Sequence, residues 1–493
     1  MFDKLSKKSG LVILLLSILL LTLFFPKLLW ALLLFTVVLM IFLAFLRLWY
    51  ASNSTQFPEI KVFQKTQPFV SIHIAICNEP SELVLNNLKH CLQIEYPNYE
   101  VIVLDNNTKS KALWKPVQQF CKRNSQLFKF KHYDQLDGFK AGALNKCLEL
   151  SHPDTEFILT IDADYCVDSK CIQIALEEIS SKNFALIQFP QCYNSNIERN
   201  GILNELEHFF QYYATGGNYT CSTLPTGTLS FINAKALKRA SGWPEKTLTE
   251  DARLGLEFLS LNLPTKFSPR CIGKGEMPGS VNDLIKQRNR WVYGNTQCLL
   301  DLFKLKMPIK KKLSAFVQLS AWINMLSIPL LFSILYIVLF FFGKSENFNF
   351  IPKFTAIQFA VFIAGKLLLF LLKSSNNNSA NLCKTLLIHM ALAFESSTAV
   401  WQALSGKRKS FIRTNKFNSG SSFADIPLQF PFLLLGLSLL QLYQNEYITS
   451  IILAVLAILF LASGIFLFYE FRLKIQKRPT LKISLYENSF DRA

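Results

Sequence analysis

Six apolar stretches punctuate this chain, and the first two, Leu11 to Phe25 and Leu28 to Leu48, are parted only by Pro26-Lys27. A run of about twenty apolar residues matches the hydrocarbon core of a bilayer when helical. No small-residue cleavage site follows the first run, so the pair reads as a transmembrane hairpin rather than a signal peptide, short as that first run is. Four further spans are predicted: Leu313 to Phe342, Phe354 to Leu372, Ile426 to Tyr443 and Ile448 to Tyr469. Lys384 to Leu404 differs. Its residues Leu387, Met390, Ala391, Phe394, Thr398 and Trp401 form one face, which places that helix flat at the interface.

The charge follows the same plan. A formal charge of +18 suits nucleic acid or a membrane surface, and its placement decides between them. The basic residues gather beside the spans: Lys4, Lys7 and Lys8, then Lys304 to Lys312, Lys407 to Lys409, and Arg472 to Arg478. That is a positive-inside pattern, so the lipid bilayer is the expected partner and nucleic acid is not. Six crossings put both termini, and everything between the second and third spans, on the cytoplasmic side. The eleven cysteines form no C-x-x-C pair and ten lie between Cys77 and Cys298, which points to reduced, packing thiols.

From Phe69 to about Gly279 the texture becomes that of a soluble α/β domain. Val70 to Ile76, Val101 to Leu104, Phe157 to Ile161 and Ala185 to Phe189 read as buried strands. Ser81 to Gln93, Gly138 to Leu150 and Ser169 to Ser181 read as crossover helices. Such alternation predicts a mostly parallel sheet whose ligands sit beyond the carboxyl ends of its strands. Polar residues stand there: Cys77-Asn78-Glu79, Asp105-Asn106-Asn107-Thr108 and Asp162-Ala163-Asp164-Tyr165.

Each cluster has a functional reading and a plainer one. Asp162 and Asp164 flank one small residue, a spacing that points two carboxylates at a hard cation such as Mg²⁺ or Mn²⁺; a turn or helix cap would use the same residues. Asp137 to Asn145 opens a helix with two glycines and Lys140, suited to an anion near backbone N–H groups, or merely a loosened helix start. Thr249-Glu250-Asp251 is a capping pattern that also sets a carboxylate at a pocket rim as a general base. Gln287-Arg288-Asn289-Arg290-Trp291 joins guanidiniums to an indole. It reads as a site for an anion and a ring, or as an amphipathic membrane-surface helix.

Taken in order, these motifs together with Thr226-Gly227-Thr228 resemble those of membrane-embedded family-2 glycosyltransferases of the cellulose synthase type. Within that group the strings "DNNT", "GFKAGALN" and "IDADY" are most similar to bacterial β-glucan synthases, and Phe411 to Lys416 resembles the gating loop of cellulose synthase. The resemblance covers roughly Phe69 to Lys416. It implies a cytosolic GT-A (Rossmann-like) α/β domain inserted between about six transmembrane helices, with interfacial amphipathic helices. The organisation expected is a hairpin at 1–50, the catalytic domain at 51–280, interfacial helices with the Q-x-x-R-W motif at 281–312, and spans three and four at 313–372. An interfacial helix and gating loop at 373–425, spans five and six at 426–470 and a basic tail at 471–493 complete it.

The roles implied are specific. Asn78, Glu79 and Asp105 would hold uridine, Asp162 and Asp164 a divalent metal on the diphosphate, and Lys140 and Arg290 the diphosphate itself. Asp251 would be the base; Glu250, Gln287 and Trp291 would seat the acceptor; Thr414 and Lys416 would close over the nucleotide. Three departures stand out: Asp105 is followed by Asn-Asn, Thr226 replaces a frequent His, and Arg413 replaces Val in the gating loop. Arg288, at the variable position of Q-x-x-R-W, receives no role.

The expected reaction is processive, inverting extension of a β-glucan from a UDP-sugar donor, UDP-glucose, at the cytoplasmic face of a bacterial inner membrane, with the growing glycan passing through the chain's own helices. A non-processive transferase acting on a lipid acceptor and a catalytically inactive scaffold or transporter are the alternatives. Donor stereochemistry, linkage and oligomeric state are not encoded in these motifs.

Overall fold

The strands of the soluble domain are β1 (Phe69–Ile76), β2 (Tyr99–Asn106), β3 (Phe128–Tyr133), β4 (Thr155–Thr160), β5 (Cys166–Val167), β6 (Leu186–Gln188), β7 (Cys192–Tyr193), β8 (Ser230–Asn233), β9 (Thr265–Phe267) and β10 (Gly273–Gly275). They belong to a computed structural model that describes residues 26–52, 67–179, 184–194, 201–373, 379–406, 414–416 and 421–477. A seven-stranded sheet runs in the order β3-β2-β1-β4-β8-β6-β9, and a small three-stranded sheet in the order β5-β10-β7.

Strands β3, β2, β1 and β4 are parallel, as the alternation of strands and helices predicts. Helices cover both faces of this half. Val70, Ile72 and Ile74 are therefore fully buried on one side of β1, and so are Ser71 and His73 on the other. His73 Nε2 lies within hydrogen-bond reach of Ser71 Oγ and Ser151 Oγ, at 3.1 and 2.9 Å. The sheet is mixed, because β8 runs antiparallel to both β4 and β6. Its four residues were not among the predicted strands.

Where β1 and β2 end, Asn78 (φ 52°) and Asn107 (φ 60°) take the left-handed conformation, which asparagine tolerates better than most residues. Asn107 fixes its turn by accepting from Leu136 N and donating to Leu136 O, both at 2.9 Å. The second asparagine of "DNNT" thus turns the chain over the carboxyl end of the sheet.

Beyond the soluble domain several helices are apolar on nearly all sides. Pro26–Ser52, Glu346–Leu371 and Tyr447–Arg472 are each long and apolar enough to cross a membrane. Their outer surfaces expose Trp30, Phe35, Phe42, Ile448, Ile451 and Ile458, as lipid-facing helices do. The predicted third span is broken: Ile309–Trp322 and Ser327–Phe341 meet at a bend of 51°, and together they count as a fourth candidate. Among the described residues, then, three or four helices stand where six spans were expected. Leu11 to Phe25 lies outside those residues, and Ile426 to Tyr443 is the fifteen-residue helix Gln429–Tyr443, about 22 Å long and short for a full crossing. The helix predicted at Lys384 to Leu404 is divided at Leu392 into Ser379–Ala391 and Ala393–Leu404.

Candidate functional site

Above the carboxyl ends of β1 and β4 lies an open cleft of about 350 Å³. Eleven of the thirteen residues singled out in the sequence line it: Glu79, Lys140, Asp162, Asp164, Glu250, Asp251, Gln287, Arg290, Trp291, Thr414 and Lys416. Asn78 and Asp105 do not. Residues more than three hundred positions apart converge there.

Strand β4 delivers the two aspartates. Thr228 Oγ1 accepts from Asp162 N at 2.9 Å, while Asn87 Nδ2 donates to the carbonyls of Asp162 and Ala163 at 3.0 and 3.3 Å, so the turn after the strand is fastened from two sides. Each carboxylate meets a lysine. Asp162 Oδ1 accepts from Lys140 Nζ, and Asp164 Oδ2 accepts from Lys416 Nζ at 3.0 Å and from Glu276 N at 3.1 Å. Among the described residues no three His, Cys, Asp or Glu side chains converge as a ready-made metal cage. Two carboxylates on one turn suit a hard cation that draws its other ligands from substrate oxygens.

Lys140 arrives on the Phe139–Leu150 helix. Gly138 precedes it at φ 82°, a conformation open to glycine, and a Cβ there would lie 2.8 Å from the Glu245 side chain. This glycine serves the turn that aims Lys140 into the cleft, where its ammonium also donates to Gly227 O at 2.7 Å. Burial works against the Lys140 charge, but Asp162 and Glu250, the latter 3.9 Å away, hold its pKa above the ordinary lysine value.

Glu250 and Asp251 form the first turn of the Glu250–Ser260 helix, where acidic residues face its positive end. The Thr249 side chain makes no cap bond, so the capping reading holds only for the acidic first turn, while Glu250 and Asp251 both line the cleft. Burial, reinforced by the adjacent Glu250 carboxylate, pushes Asp251 up to about 7. Gly227 (φ 92°) passes close by: a Cβ added there would lie 3.1 Å from Asp251 Oδ2.

The Val281–Leu302 helix starts at Ser280, whose side chain accepts from Asp283 N. Gln287, Arg290 and Trp291 recur at helical spacing and share the face turned to the cleft. Arg288, left without a role by the sequence, has a definite one. It is 2% exposed, bridges to Glu205 at 2.6 Å, and lays its guanidinium 4.2 Å from the Trp291 ring and 4.9 Å from that of Trp322. The two indoles are 5.0 Å apart. Arg288 is a positioning residue that holds both rings.

Thr414 and Lys416 reach the cleft from the membrane half. Lys416 Nζ donates to Glu276 O at 2.7 Å as well as to Asp164, and Gly279 N donates to Asn415 O at 2.9 Å. Phe411 to Arg413 lie outside the described residues, so the Arg413 departure has no structural counterpart.

Asp105 is 1% exposed and stands behind the cleft wall. It accepts from Thr108 Oγ1 at 2.7 Å, and Thr108 Oγ1 accepts in turn from Asn78 N at 2.8 Å. His132 Nδ1 lies 2.6 Å from Asp105 Oδ2, with its ring stacked on Trp114 at 4.2 Å. Burial raises Asp105. Burial also opposes charge on His132, but the carboxylates of Asp105 and Asp134 lift its pKa above the ordinary value. Sequence reading missed His132 because β3 was not recognised. It missed Gln191, just past β6, and Tyr193, within the two-residue strand β7, which also line the cleft.

A second, mostly apolar pocket adjoins the cleft through Asp251 and Trp291 and is walled by Leu206, Phe209, Phe210, Leu224 and Trp322.

Residues 71–240 match the family described as Glycosyl transferase family 2, and residues 157–372 match Glycosyl transferase family group 2. The chain is 30% identical over 257 residues to beta-monoglucosyldiacylglycerol synthase of Nostoc sp., covering 50% of this chain and 53% of that protein. It is 26% identical over 251 residues to poly-beta-1,6-N-acetyl-D-glucosamine synthase of Staphylococcus epidermidis, covering 49% and 58%. The aligned region thus spans about half the length of the curated relatives it matches. A mannosyltransferase of Pyrobaculum calidifontis, solved in complex with GDP-Man and Mn²⁺, shares the fold with a TM-score of 0.53 at 15% identity, over 77% of this chain and 99% of that one.

Proposed function

We propose, from the family-2 glycosyltransferase domain that residues 71–372 carry, that the chain transfers a hexose from a nucleoside diphosphate sugar to an acceptor hydroxyl with inversion at the anomeric carbon. The observation that carries this reading is one cleft in which two carboxylates on a single turn, the cations Lys140 and Arg290, and a carboxylate with a pKa of about 7 face one another. Departure of a nucleoside diphosphate develops negative charge that Lys140 and Arg290 neutralise without moving a proton. Asp251, half ionised near neutrality and increasingly so above it, accepts the proton of the attacking hydroxyl. Attack from the face opposite the leaving group turns an α-linked donor into a β-linked product.

Asp162 and Asp164 would hold Mg²⁺ or Mn²⁺, with the donor diphosphate completing the ligand set. Such an ion supplies Lewis-acid stabilisation of the leaving group. Lys140 and Lys416 would then turn from the aspartates to the phosphates, and Thr414 would close the cleft beside them. Gln287 and Trp291 would seat the acceptor sugar, whose C–H face packs on an indole, with Glu250 at its edge. Asn78, Glu79 and Asp105 would form the nucleoside end; being buried, Asp105 acts there through Thr108 and the backbone it fixes.

For the product we infer a β-glucan made processively from UDP-glucose and passed through the chain's own helices, as the motif strings and the paired indoles beside the helices support. A single-sugar transfer to a lipid is the second reading, favoured by the apolar pocket next to Asp251. Membranes bearing the protein, incubated separately with UDP-glucose, UDP-N-acetylglucosamine and GDP-mannose, should yield from UDP-glucose a polymer that resists organic extraction and is cut by a β-glucanase. Label in the organic phase selects the lipid acceptor; no turnover of any donor overturns transfer.

A further inference from the structure

On the far side of Trp322 from the cleft, the helices meet around two small cavities of about 20 and 30 Å³ whose linings share Asn324, Phe362 and Lys366. Arg47, Arg288 and Lys366 line them, and the only carboxylate among the described lining residues is Glu205, already committed to Arg288. Lys366 is 6% exposed and, among the described residues, makes neither a hydrogen bond nor an ion pair. Its neighbours in the lining are unsatisfied too: Arg47 Nε, Tyr213 Oη and His389 Nε2 are buried without partners. Arg47 keeps only its outer nitrogen anchored, Nη2 donating to the carbonyls of Ser320 and Ile323 at 2.6 and 3.1 Å.

A buried cation without a counter-charge is costly, and several unsatisfied polar atoms around one space compound that cost. Depth identifies what could relieve it. Arg47 and Lys366 each stand five residues before the ends of their spans, at Ser52 and Leu371, and Gly365 packs on Ala44, so both cations lie at one level. That level adjoins the catalytic domain, about one and a half helical turns inside the span ends, where lipid head groups begin.

We propose that this cavity binds a phosphate-type oxyanion, held by Lys366 and Arg47 with Tyr213 donating to it. The chemistry is shared by the phosphodiester of an anionic lipid and by free phosphate.

The test uses the full-length protein in nanodiscs of phosphatidylcholine, alone or with phosphatidylglycerol replacing about a third of it, and in phosphatidylcholine discs given millimolar inorganic phosphate. Melting is followed by tryptophan fluorescence. Stabilisation by either anion is expected in the wild type, retained in Lys366→Arg and lost in Lys366→Met, with apparent affinity weakened at least about tenfold. Lys366→Met in pure phosphatidylcholine should melt no lower than the wild type. An effect of phosphatidylglycerol alone assigns the site to a lipid head group; an effect of inorganic phosphate as well assigns it to a free oxyanion. Native mass spectrometry of the wild type, expected to retain one phosphatidylglycerol in preference to phosphatidylcholine when lipid is the source, gives a readout that needs no variant. Stabilisation that is absent from both anions, or equal in wild type and Lys366→Met, overturns the proposal.

Discussion

Asp251→Asn removes a proton acceptor while keeping its shape, and two separable effects follow from the burial that raises Asp251 from 3.8 to about 7. The first is catalytic. If this carboxylate is the base, kcat/KM of the wild type should fall about tenfold for each pH unit below 7 and level off above it; the Asn variant should lose about 100- to 10,000-fold while UDP binding persists. The second effect is on stability, and its sign is opposite to that of a salt-bridged aspartate. With the folded pKa above the unfolded one, the folded protein holds a proton that the unfolded chain releases between pH 4 and 7. Stability is therefore lost as pH rises through that window. The interval from 3.8 to about 7, at about 1.4 kcal/mol per pH unit, sets an upper bound of about 4 kcal/mol, with the opposing pull of Lys140 already contained in it. Asn escapes that loss, so Asp251→Asn should melt higher than the wild type at pH 8 and match it near pH 4. Initial rates and melting curves across this range check both effects. An active Asn variant, or a profile that inflects near pH 4, refutes the assignment.

Gly227→Ala combines backbone strain at φ 92° with a Cβ 3.1 Å from Asp251 Oδ2, so kcat should drop about 10- to 100-fold while donor KM stays within a few-fold. Glu205→Gln leaves Arg288 buried without its carboxylate and should cost about 3–5 kcal/mol in denaturant unfolding. Arg288→Met removes the charge contact to Glu205 and frees two indoles, which should raise the acceptor KM more than the donor KM. Chelation by EDTA should stop transfer and added Mg²⁺ or Mn²⁺ restore it; unaffected rates would remove Asp162 and Asp164 from the metal role.

The sequence revealed those parts whose signal is local. Strands β1, β2 and β4 are covered on both faces, so their apolar runs stand out, and the carboxyl-end rule led directly to Asp162 and Asp164. The short strands β5, β7 and β10 did not stand out, since two or three residues carry no period and their pairing partners lie far away in the chain. Arg288 was illegible for the same reason: its partner Glu205 is 83 residues upstream, and no spacing connects them. Asp105 was read from its place at the end of β2 as a cleft residue but is buried behind the cleft wall, because the strand that brings His132 against it went unread. The bend between Trp322 and Ser327 went unread although Asn324 and Pro329 stand at it, because hydropathy marks composition but not direction.

The two lysine–aspartate pairs across the cleft, Lys140 with Asp162 and Lys416 with Asp164, give the proposed donor site an unusual electrolyte character. Without ligand these two pairs compensate each other, so neither lysine exerts much long-range pull on passing anions. Taking up a nucleotide together with its cation becomes a swap of partners: aspartates trade ammonium for metal while lysines trade carboxylate for phosphate. Since few mobile counterions need be released in such a swap, donor affinity should vary only weakly with ionic strength. The cleft should also discriminate against a diphosphate offered without its cation, because the lysines could turn to it only by leaving two aspartates bare.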